Sequence, residues 1–284
     1  MVAARGYVRP WCSCLASPVP TLSSRIHFSQ PVIGYVFGLL YCCGGWSRRR
    51  LRGAGNQRLW RHVLSSLVSE SSSDGASVFS ADTHHTNCLD ATATALLDSL
   101  PPGRVSVVGH SLGGYLAMAM LRKATPGRID RLALISSQPR ADSRAIQQRR
   151  RDLMARVRLS GPLAAISPPE VLLGEAQRSD AALWSAVESM AREVGGERLI
   201  SGCTAAMGRV DSRDTLRGIA AEATCVLLMV GAEDAITPLA ATREMSRLIP
   251  HASVHVLHGC GHMPPLERPQ EVTSAVVDFL TAAK

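Results

Sequence analysis

From about Leu51 onward, short apolar runs alternate with stretches of helical spacing, and this alternation restricts the possible folds more than any other feature of the chain. The runs "SVFSAD" (77–82) and "RVSVVG" (104–109) read as strands, and "CLDATATALLDSL" between them reads as a helix stopped by Pro101-Pro102-Gly103. A second helix, "LGGYLAMAMLRKA", closes before Pro126-Gly127, and "RIDRLALISS" is the next strand. The rhythm then breaks. Residues 140 to about 218 contain helical pieces, "SRAIQQRRRDLMARVRL", "PPEVLLG", "DAALWSAVESMAREVG" and "DSRDTLRGI", with no strand among them. Alternation resumes with "TCVLLMVG", "LAATREMSRLI", "SVHVLH" and "RPQEVTSAVVDFLTAA". A strand followed by a helix, repeated, predicts an α/β fold with a mostly parallel twisted sheet and helices on both faces. The strandless interruption predicts a helical cap inserted at about 138–218 within a domain spanning 51–284.

The first fifty residues differ in kind. Nine arginines and no acidic residue lie between Met1 and Ser69, which leaves 22 basic against 23 acidic residues in the remainder. The formal charge of +8 therefore belongs to the first quarter, and the near-neutral remainder argues against nucleic acid as a partner. The segment 1–50 reads as an extension with no scorable periodicity. An acid-poor, Arg- and Ser-containing start is compatible with an organelle-targeting segment. The apolar run Val32 to Cys43 is compatible with a membrane anchor, although its twelve residues fall short of the roughly 18–20 that span a bilayer. An unstructured extension is the third reading. Cys88, Cys203, Cys225 and Cys260 show no metal-ligand spacing, so the expectation is free thiols in a reducing, cytoplasmic setting, with no metal.

Parallel sheets put their working loops at the carboxyl ends of the strands. The first such loop holds Gly109-His110-Ser111-Leu112-Gly113, a G-x-S-x-G pattern lying between a strand and a helix. A serine on so sharp a turn needs small neighbours, and it exposes its hydroxyl beside a helix N-terminus, where the Leu112 N–H would face a developing oxyanion. Such a hydroxyl needs a base. Of nine histidines, His262 in "LHGCGHMPPLERP" follows the last strand on a loop made pliable by Gly259 and Gly261, with His258 in reserve. The base needs a carboxylate to fix its tautomer. In "LLMVGAEDAITP", Asp234 is the better choice and Glu233 the one expected to face solvent.

The order Ser111, Asp234, His262, with "GHSLGG", "GAEDAITP" and "GCGHMPPLERP" at the corresponding strand ends, resembles the α/β-hydrolase fold family, and particularly its compact esterase-like and lactonase-like members. The resemblance runs from about Gly53 to Lys284. It implies an eight-stranded sheet, a helical cap after the sixth strand, and hydrolysis of a small or medium carboxylic ester, lactone or thioester through an acyl-enzyme, without cofactor. It also implies a second oxyanion donor after an apolar strand ending in His-Gly. Gly53-Ala54 stands at that place and suggests the Ala54 N–H, but Arg52 replaces the histidine and "WSRRRLR" replaces the apolar strand. Arginines cannot line both faces of a buried strand. Either "PVIGYVFGLLY" supplies that strand, or the resemblance ends at Gly53. Two alternatives stay open: a lyase or carbon–carbon hydrolase using the same three residues, and a catalytically impaired hydrolase-fold binding protein.

Overall fold

In a computed structural model of the chain, residues 39–43, 57–70, 77–81 and 87–282 are described. In chain order the elements are β1 (Leu39–Cys43), α1 (Gln57–Glu70), β2 (Ser77–Ala81), α2 (Leu89–Ser99), β3 (Val105–His110), α3 (Leu112–Lys123) and β4 (Ile129–Ile135). The helices α4 (Arg144–Ser160), α5 (Pro169–Leu172), α6 (Ala181–Val194), α7 (Gly196–Met207) and α8 (Arg213–Arg217) follow. The chain then returns through β5 (Cys225–Gly231), α9 (Leu239–Leu248), β6 (Ser253–Leu257), α10 (Pro264–Glu267) and α11 (Pro269–Thr281).

Among the described residues the strands form one six-stranded sheet in the order β2-β1-β3-β4-β5-β6, two fewer than the eight that the resemblance implies. Pairing from β3 to β6 is parallel throughout. Strand β1, drawn from the apolar run before the arginine cluster, occupies the place beside β3 but runs antiparallel to both its neighbours. Its first residue, Leu39, pairs with Gly109 and its last, Cys43, with Val105. The chain therefore leaves β1 at the end of the sheet remote from the loop after β3.

Side chains of β3, β4 and β5 are mostly apolar on both faces, as a strand covered by helices on either side requires, with Ser106 bonded to Asp130 near the amino end. Val108, Ala133, Ile135, Leu227 and Met229 enter one core with Leu59, Trp60 and Leu67 of α1, Val272 and Val276 of α11, and Val187 and Met190 of α6. Their alternates Val107, Leu132, Leu134, Val226 and Leu228 enter a second core with Leu116 and Met120 of α3 and Met245 of α9. Helix α4 carries a narrower apolar stripe, burying Met154 and Val157. Helix α7, where the sequence pattern showed no separate helix, buries Leu199, Gly202, Ala205 and Ala206. Among the described residues five α-helices thus lie between β4 and β5, the last of them, α8, packed against α3 and α9. Among the described residues, no helix is long and apolar enough to cross a membrane.

Candidate active site

Strand β3 is apolar and buried up to His110, and helix α3 starts at Leu112, so the whole reversal falls on one residue. Ser111 takes it with φ 51° and ψ −112°, a region that costs a non-glycine residue about 1–3 kcal/mol. Neighbouring bonds hold it there. The Ser111 N–H donates to the Ile135 carbonyl at 2.9 Å, and the Ser111 carbonyl accepts from Gly114 N–H at 2.9 Å and from the Ser137 hydroxyl at 3.1 Å. A Cβ at Gly109 would lie 2.4 Å from the Gly113 carbonyl oxygen, and one at Gly114 would lie 2.4 Å from Ser137 Oγ. The second tight position is thus Gly114, one residue beyond the five-residue pattern.

Asp234 follows β5 and is buried. Its Oδ1 accepts from the backbone N–H of Ile236 at 2.9 Å and of Thr237 at 2.8 Å, and its Oδ2 from the Thr237 hydroxyl at 2.7 Å. Burial by itself would raise its pKa, but the imidazolium charge and hydrogen bond of His262, with the Thr237 donors, prevail and lower it to about 2. Glu233 is exposed, its carboxylate accepting from Glu175 N–H. His258 is exposed as well, whereas His262 is 1% exposed.

His262 Nδ1 lies 2.9 and 3.0 Å from the two Asp234 oxygens, and its Nε2 lies 2.9 Å from Ser111 Oγ. The carboxylate fixes the hydrogen on Nδ1, leaving Nε2 as the acceptor for the serine hydroxyl. Several contacts position this ring through its backbone. His262 N–H donates to Leu172 carbonyl at 2.8 Å, and His262 carbonyl accepts from His110 Nε2 at 2.8 Å. Gly259 has φ 59°, and a Cβ at Gly231 would come within 2.1 Å of the Gly261 carbonyl oxygen, so the end of β5 and the histidine loop touch backbone to backbone. The buried Glu267 carboxylate accepts from the N–H groups of Gly174, Gly261 and Met263 at 2.7, 2.9 and 2.8 Å. It ties the histidine loop to the segment after α5.

Leu112 is the first residue of α3, so its N–H has no intrahelical acceptor and is free to face a ligand beside Ser111. Ala54 lies outside the described residues.

Ser111, Leu112 and His262 open onto a cavity of about 150 Å³ roofed by α4, α5, α6 and α7 and lined mainly by apolar side chains. Two charged residues sit at its wall or behind it: Arg150, which lines it, and the buried Asp142 to which Arg150 bonds. Sequence reasoning missed Arg150, Thr237, Glu267 and His110. The Asp234-to-Thr237 spacing, with a hydroxyl three residues after an acid, is a legible local pattern; Arg150 stands within "RRRD" and looks there like any solvated charge. Among the described residues, no group of three or more His, Cys, Asp or Glu side chains could hold a metal ion.

Comparison with known proteins adds four findings. The model of the Alpha/beta hydrolase family matches residues 39–275. The curated 2-hydroxymuconate semialdehyde hydrolase of Pseudomonas putida is 28% identical over 207 residues, covering 67% of each chain. Among solved structures, a thermophilic esterase from Thermogutta terrifontis superposes with a TM-score of 0.68 at 24% identity over 85% of this chain and 92% of its own. An enol-lactonase from Burkholderia xenovorans LB400 gives 0.68 at 21% identity over 86% and 96%.

Proposed function

The chain belongs to the alpha/beta hydrolase family, and from that premise we propose that it is a serine hydrolase cleaving a small carboxylic ester, lactone or thioester through an acyl-enzyme. One observation carries the reading: a serine hydroxyl on a strained turn lies 2.9 Å from an imidazole that is itself bonded to a buried carboxylate. His262 Nε2 takes the Ser111 proton as Oγ attacks the carbonyl carbon, and Asp234 stabilises the imidazolium that forms. The oxyanion develops against Leu112 N–H. Collapse expels the leaving alcohol, which receives the proton from His262. Water then enters, gives its proton to His262, and releases the acid from Ser111 by the same steps in reverse roles. These steps call on the chain's own groups and water. In this reading the helices between β4 and β5 are the cap that shapes the acyl site, and a cavity of about 150 Å³, comparable to those that hold benzene, suits a short acyl chain.

The likeness to 2-hydroxymuconate semialdehyde hydrolase favours a second reading, cleavage of a carbon–carbon bond by the same three residues. Hydrolysis of p-nitrophenyl butyrate by the purified protein tests the first. Activity should fall by about 10³-fold or more in Ser111→Ala, and a fluorophosphonate should leave one adduct, on Ser111. Turnover no higher than the uncatalysed background in wild type and Ser111→Ala alike would overturn the reading in favour of a binding protein.

A further inference from the structure

The cavity beside Ser111 is apolar except at one wall. Among the described residues that line it, Arg150 of α4 is the one side chain with a permanent charge, and none is a carboxylate. Behind it, two guanidinium groups share one carboxylate. Arg150 Nε donates to Asp142 Oδ2 at 2.6 Å, and Arg209 Nη1 donates to Asp142 Oδ1 at 2.5 Å. The Asp142 side chain is fully buried and that of Arg209 is 4% exposed, whereas that of Arg150 keeps 21%. Arg209 is committed elsewhere: it also bonds the carbonyls of Arg140 and Ala206, and its guanidinium lies 4.0 Å from the centroid of the Tyr115 ring. The cluster thus carries one positive charge in excess, and Arg150 is the member that presents it to the cavity.

Nothing on the wall cancels that charge. No carboxylate or carbonyl among the described residues accepts from the two Nη groups of Arg150. Cys203, which also lines the cavity, lies against Arg150, but burial raises the pKa of its thiol and keeps it neutral. A cation at the edge of an apolar chamber is costly when the chamber fills with apolar substrate and favourable when the substrate brings an anion.

We infer that the substrate carries a free carboxylate, seated on the Nη groups of Arg150 while its ester or lactone carbonyl meets Ser111. This rests on the reading of Ser111 as the nucleophile and narrows it to short esters of dicarboxylic acids, or lactones bearing a carboxylate. Arg150 is a specificity residue here, with no part in proton transfer.

The test compares monoethyl glutarate with ethyl valerate, which differ only in a carboxylate in place of a methyl group, with ethanol release as the readout. Wild type should favour the glutarate in kcat/KM by about tenfold or more, as a polar group built to meet a substrate partner discriminates strongly against the analogue lacking it. Arg150→Met should abolish that preference, lowering kcat/KM for the glutarate ester by at least about tenfold more than for the valerate ester, and Arg150→Lys should keep part of it. Competitive inhibition of p-nitrophenyl acetate hydrolysis by glutarate should weaken in parallel in Arg150→Met. Equal rates for the two esters in wild type, or equal losses on both in Arg150→Met with glutarate inhibition unchanged, would overturn the inference. Turnover of p-nitrophenyl acetate keeps the two failures apart. If it proceeds through Ser111 without any glutarate preference, only the carboxylate assignment falls; if it is absent and Ser111 takes no fluorophosphonate, the hydrolase reading falls with it.

Discussion

At the residue scale, the site depends on a strained serine and a carboxylate held ionised in a buried place. Gly114→Ala would drive a Cβ into Ser137 Oγ, the hydroxyl that holds the Ser111 carbonyl. We expect a loss of about 1–3 kcal/mol, read by urea denaturation, together with reduced turnover as the serine turn shifts. Asp234→Asn should leave the fold in place and lower kcat by about 10⁴-fold, since the amide no longer selects the productive tautomer of His262. The same residue makes stability depend on pH. Its pKa of about 2 in the folded chain lies below the roughly 3.9 of an unfolded aspartate. The ionised carboxylate therefore contributes about 2 kcal/mol above pH ~4, and this contribution fades as pH falls toward 2. Denaturation at pH 5 and at pH 3 should show the wild type's advantage over Asp234→Asn shrinking at the lower value.

At the element scale, the histidine loop is held by partners that are far away in sequence. Glu267 receives three backbone N–H groups, one from the helical insertion and two from the histidine loop itself. Glu267→Gln turns one acceptor oxygen into a donor facing an N–H group, and should destabilise by about 1–3 kcal/mol. It should also lower kcat for p-nitrophenyl butyrate, because the loop that carries His262 loosens. Much of this level was legible in the residues. The β-branched runs ending at Gly109 and Gly231 predicted buried strands, and Ser111, Asp234 and His262 each stand just past a strand end, where the structure brings them within hydrogen-bonding distance. Strand β1 was less legible. The run "PVIGYVFGLLY" was one of two alternatives for the apolar strand that the resemblance implies, and neither its place beside β3 nor its antiparallel direction leaves a mark on an apolar pentapeptide.

At the scale of the whole molecule, a sheet positions the three residues proposed for catalysis, and helices between β4 and β5 line the chamber beside them. The two are joined in part by Asp142, on the segment after β4, which binds Arg150 of α4 and Arg209 after α7. Asp142→Ala would leave two buried or half-buried guanidinium groups without their anion, and we expect a loss of about 3–5 kcal/mol in a chemical denaturation curve. The sequence by itself determined the strand and helix alternation, the helical interruption and the three residues proposed for catalysis, because periodicity and turn chemistry are properties of neighbouring residues. Only the tertiary structure decided which of the many arginines faces the cavity, which acid pins the histidine loop, and which way β1 runs. Those depend on burial and on pairings between distant segments, and an arginine in "RRRD" has the same local pattern whether it meets water or a substrate.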